Sequence, residues 1–247
     1  MRHPGPPSVR TALAAASVLA WGVLAWMALD MANPLVQLTM PGGARWSGAN
    51  VAAIYTMWAV MMAAMMLPSA LPVVQAFVRL SLGQGDGGRA TAFVAAYLLT
   101  WSAFSAVATV LQWLLQSLRW VDPMIASRSN ALDVVLLLLA GVYQFSPLKR
   151  VCLARCRTPL GFLIGDWRPG VAGAFAMGVR HGVFCLGCCW ALMTLLFVGG
   201  AMNIAWVAAL ALAVAIEKTA PGGERLAGLL GIMLIVAGLL KLVLSVR

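Results

Sequence analysis

Charge is scarce in this sequence. Only 17 basic and 7 acidic residues occur among 247, or 10% of the chain, where a soluble domain carries about 25%. A surface so poor in charge cannot face water on all sides, which excludes a soluble globular enzyme. A composition that is 62% hydrophobic excludes a disordered chain as well. Familiar catalytic parts are also missing. There is no phosphate-binding glycine loop, no nucleophile elbow and no pair of carboxylates inside an apolar block. The cysteines number five, so they cannot all pair within one chain. The net charge of +10 is not a nucleic-acid signature here, because the basic residues sit mostly between apolar runs. There they set orientation and meet anionic lipid headgroups.

Long apolar runs fill the rest. Seven blocks can be read, at 11–31, 50–78, 90–118, 131–146, 170–198, 202–217 and 226–244. A bilayer crossing takes roughly 20 apolar residues, and in lipid such a segment must be helical to satisfy its own backbone. The expected fold is therefore all-α: a polytopic membrane helical bundle of about seven transmembrane helices, forming one integral membrane domain over 1–247. The first block follows Arg2 and Arg10 as a signal peptide would. It is longer than a signal core and no small-x-small cleavage site follows, so it reads as an uncleaved helix. With the N-terminus in the cytoplasm, eleven basic residues fall in inner segments and five in outer ones, Arg247 among the latter. That asymmetry predicts a cytoplasmic N-terminus and an external C-terminus. The one long connection, 147–169, holds Pro147, Pro159 and Pro169 and reads as a basic cytoplasmic loop carrying Cys152 and Cys156.

Chemistry concentrates in the fifth block, GVAGAFAMGVRHGVFCLGCCWALM. Residues three or four apart share a helix face, so Met177, His181, Cys185 and Cys188 or Cys189 climb one side, with Met193 beyond them. Thioether, imidazole and thiolate suit Cu(I), and thiolate with imidazole also suits zinc. A single buried Met or Cys is ordinary packing; a His with three cysteines on one face is harder to explain that way. Arg180 stands about ten residues past Gly170, roughly 15 Å into the helix, where a charge needs a partner. Glu217 is one candidate, reached by snorkelling.

The second block carries Met57, Met61 and Met65 in one line, with Met62 and Met66 beside it. Pro68 and Pro72 deprive the carbonyls of Ala64 and Pro68 of their helical partners. By depth, Met61 and Met65 fall near Cys185, and Pro68 falls near Arg180. The expectation is that the methionines face the Cys/His stripe while the freed carbonyls receive the guanidinium. Gly178 and Gly182 match Ala59 and Ala63 as small-x-x-x-small pairs, a packing signal between the same two helices. Cys152 and Cys156, four apart among basic residues, would face one way if that stretch is helical. Trp58 and Trp190 neighbour the soft-donor stripes, and Asp133 is placed to cap the fourth helix.

Three segments carry a family resemblance: W-x-x-M-x-x-x-M-M-x-P at Trp58 to Pro68, Y-Q-x-[ST]-P-L-K-x-x-C-L-x-x-C-R-x-P from Tyr143 to Pro159, and H-G-x-x-C-x-G-C-C-W-x-L-M from His181 to Met193. In these the chain resembles a bacterial family of predicted metal-binding integral membrane proteins, a domain of unknown function numbered 2182. The resemblance covers most of the chain from about residue 50 and implies a multi-pass protein of the bacterial inner membrane with a metal site; it supplies no reaction.

From the residues themselves, the leading expectation is a membrane protein that binds copper(I) for handling or delivery to a partner cuproprotein. Its metal ligands would be His181, Cys185, Cys188, Cys189, Met61 and Met65, with Cys152 and Cys156 as a cytoplasmic entry or exit pair. Zinc and haem are alternative ligands. Two other functions stay open: a membrane thiol-disulfide oxidoreductase using Cys185 and Cys188, and a non-catalytic assembly subunit of a membrane complex.

Overall fold

The structure is a computed structural model that describes residues 7–43, 45–81 and 88–246. Arg2 and Arg247, both counted toward orientation, lie outside the described residues. Among the described residues the extended elements are helices, with two isolated bridges in the connections, Val121 with Ser127 and Ala126 with Gly199. The elements are α1 (Pro7–Leu29), α2 (Pro34–Gln37), α3 (Gly48–Ser81), α4 (Arg89–Ser117), α5 (Asn130–Tyr143), α6 (Pro147–Arg157), α7 (Pro159–Gly165), α8 (Gly170–Thr194), α9 (Leu196–Gly199), α10 (Ile204–Thr219) and α11 (Gly223–Val246).

Each of the seven apolar blocks falls on a helix, but not all are of spanning length. Five, those of α1, α3, α4, α8–α9 and α11, are long and apolar enough to cross a membrane, and a sixth crossing exists if α5 and α6 are one span bent by 63°. That bend is written in the sequence. Ser146 caps α6 by accepting from the amide of Lys149 at 3.1 Å, and Pro147 fits the first helical position, where no amide is needed. The segment read as a basic loop thus contains two helices, α6 and α7. Its basic residues masked a helix that folds back against α8 with Cys152 and Cys156 turned inward.

α4 is the central packing partner. It lies along α8 on one side and α3 on the other, while α1 covers α3 and α11 covers α5. α3 and α8, expected to press together directly, are not one of the closely packed pairs. The small residues explain why. A side chain at Gly178 would run into the Phe93 carbonyl and Ala96, and one at Gly182 into Thr100. The small-residue face of α8 therefore seats α4, not Ala59 and Ala63 of α3.

α3 runs helical through both prolines. The Ala64 carbonyl, which has no amide at Pro68 to bond, accepts instead from Trp21 Nε1 of α1 at 3.0 Å. It does not receive Arg180. That side chain is half-exposed and pairs with Asp166, just past α7, at 2.6 Å. Its charge is met by the very segment that had looked like a loop. Glu217, the other candidate for Arg180, is taken by Lys149. Asp133 is not a cap either: Ser129 caps α5, and Asp133 in its first turn pairs with Lys241 of α11.

Candidate metal centre

α8 is a continuous helix through His181, Cys185, Cys188 and Cys189, and all four side chains are buried. The three cysteines sit within one turn, so their sulfurs share one face. Cys188 and Cys189 each turn back to donate to the Cys185 carbonyl at 3.0 Å. α6 delivers a fourth sulfur: Cys156 is buried in the same core as Cys185, Cys188 and Cys189, on a helix packed along α8. Cys152, one turn before Cys156, is buried and rests on Gly187, where an added side-chain carbon would lie 2.7 Å from its sulfur. It borders the cluster without being shown to join it. All five cysteines are free thiols.

Three further groups close around Cys185. Lys218 Nζ of α10 stands 3.0 Å from its sulfur, 3.3 Å from Ser69 Oγ and 3.7 Å from Met66 Sδ. The Tyr97 hydroxyl of α4 lies 3.1 Å from the same sulfur and 3.3 Å from the Met66 carbonyl. Met61 and Met65 are buried in the same core as the thiols, but the methionine that enters the polar contacts is Met66. α3 is linked to Cys185 through Tyr97 and Lys218, which touch Met66 and Ser69 of α3 as well as the Cys185 sulfur. Neither was foreseen. Lys218 adjoins Glu217 at the end of an apolar block and reads as half of a local ion pair; Tyr97 reads as one more apolar residue of the third block.

The two neighbours on α10 face apart. Glu217 makes a buried ion pair with Lys149 of α6 at 2.6 Å and accepts from Gln144 Nε2 at 3.1 Å. Its backbone carbonyl accepts from Arg157 of α6 at 2.6 Å. These bonds fix α6 to α10, and so hold the helices that carry Cys156 and Lys218 together beside α8.

His181 is placed differently from the sulfurs. Its ring lies among Phe93, Tyr97 and Phe162, with centroids 6.0, 5.5 and 5.6 Å away, and its Nδ1 is buried without a hydrogen-bond partner. Trp58 donates to Gln112 at 2.8 Å and Trp190 packs edge-on to Tyr143, so both serve packing.

Among the described residues no three His, Cys, Asp or Glu side chains are already set as ligands around one point. Zinc in a structural site takes four ligands in a tetrahedron, and no such cage is formed. Copper(I) is content with two or three soft donors, and closely spaced thiols suit it.

No curated protein and no solved structure matches the chain. A family model described as copper chaperone, PpoB2, matches residues 55–241. That span is well over half of the chain and contains every thiol, Met61, Met65, Met66, Tyr97, His181 and Lys218. The chain belongs to the PpoB2 copper chaperone family.

Proposed function

We propose that this chain is an integral membrane copper chaperone that takes up Cu(I) and passes it to a copper-using partner protein. Copper is cargo here, held briefly and given away. Two thiolates hold it at a time, drawn from Cys156, Cys185 and Cys188, with Cys189 as a neighbouring sulfur for transfer. His181 and the methionines Met61, Met65 and Met66 form the soft surround, and Cys152 leads toward Cys156 as the cytoplasmic entry step. The chain lies in the inner membrane of a bacterium with its N-terminus inside and its apolar blocks as seven crossings, the shorter α5 and α10 completing the bundle.

One observation carries this reading: in a member of a copper chaperone family, thiols from two different helices, α6 and α8, converge inside the apolar core. Thiols that rest on a backbone carbonyl rather than in a finished cage suit a carrier that must release its load. A disulfide cycle between Cys185 and Cys188 is poorly supported, since both lie in a continuous helix.

Metal analysis of protein purified under reducing, chelator-free conditions tests the proposal. The native chain should retain copper, and Cys185→Ser with Cys188→Ser should lose most of it. Equal copper in both would remove the thiols from the mechanism.

A further inference from the structure

Lys218 is the one residue touching Cys185 that brings a full charge. It is buried, and among the described residues no carboxylate lies within ion-pair range of it. Its sequence neighbour Glu217 is committed to Lys149 of α6. Among the described residues the ammonium's hydrogen bonds go to the Cys185 sulfur, the Ser69 hydroxyl and the Met66 thioether. An isolated charge in an apolar interior is strongly unfavourable, so a cation held without a carboxylate points to an anion that forms there.

The cargo supplies that anion. Two thiols that take up Cu(I) each give up a proton, to water or to the copper donor, and the resulting copper dithiolate carries one negative charge. We propose that Lys218 is the built-in counter-charge of the loaded centre, so that Cu(I), two thiolates and one ammonium sum to zero in the core. This rests on the copper reading above and deepens it. One thiolate is Cys185, and the other comes from Cys156 or Cys188, which reach it. Ser69 and Met66 keep the ammonium at its post when copper takes the Cys185 sulfur.

Lys218 is thus a positioning residue, and its role has a signature that simple packing lacks. An unpaired buried charge is costly, so an apolar side chain of similar length in its place removes that cost. Lys218→Met should therefore melt no lower than native protein without copper, yet bind Cu(I) at least tenfold more weakly in competition with a chromophoric Cu(I) chelator. Lys218→Arg, which keeps the charge, should recover most of the affinity. Unchanged affinity in Lys218→Met overturns the proposal, as does an Arg variant no better than Met. Should the variants fail to fold, X-ray absorption of native copper-loaded protein decides: two short copper–sulfur bonds support the charge balance, and three contradict it. Native protein that binds no Cu(I), or Cys185→Ser that binds it fully, would instead defeat the underlying copper reading.

Discussion

At the scale of the residue, the cysteines were visible in the sequence and the groups that govern them were not. The i, i+3, i+4 spacing of Cys185, Cys188 and Cys189 puts them on one face whatever surrounds the helix. Lys218 and Tyr97 reach Cys185 from α10 and α4, across separations that no local spacing encodes. The same blindness applied to Glu217. Its partner Lys149 is 68 positions away, and the sequence offered Arg180 as its partner instead. That buried pair makes a prediction. Glu217→Ala leaves Lys149 buried and alone, and should destabilise the protein by about 3–5 kcal/mol. Replacing both residues by Met should recover most of that loss. Thermal unfolding in detergent measures both, and a double variant as unstable as the single one would show that the pair is more than mutual neutralisation.

At the scale of the element, block positions were legible because each long apolar run falls on a helix, whereas helix partners were not. Small residues announce a close approach without naming what approaches. Gly178 seats the backbone of α4 at Phe93, so Gly178→Val should cost more than about 1 kcal/mol, the lower end for overpacking. The corresponding change at Ala59 of α3 should cost less, because that face does not receive α8. Proline in α3 gives a sharper test. Trp21→Phe strands the Ala64 carbonyl and should cost about 1–3 kcal/mol. In a Pro68→Ala background residue 68 regains an amide that can take that carbonyl, and the same Trp21 change should then cost little. Equal costs in both backgrounds would mean that Trp21 does not stand in for the missing bond. α6 was misjudged for a related reason: its polarity resembled a loop, while Ser146 and Pro147 were an unused start signal for a helix.

At the scale of the whole molecule, the proposed copper centre depends on α6 folding back beside α8. α8 alone offers three thiols, two of which donate to the Cys185 carbonyl; the fourth arrives only because α5 and α6 bend and the Lys149–Glu217 and Arg157 bonds hold α6 to α10. The bilayer placement is testable by itself. Reporter fusions after residues 165 and 246 should report opposite sides, the first cytoplasmic, and a shared side would refute the seven-crossing arrangement. The most direct test of the central claim is Cu(I) titration of the reduced, purified protein, followed by its near-ultraviolet thiolate-to-copper absorption. The native chain should saturate at one copper, Cys156→Ser should bind markedly more weakly, and Cys156→Ser with Cys185→Ser should give no such band. A Cys156→Ser titration that overlays the native one would contradict a centre shared between α6 and α8.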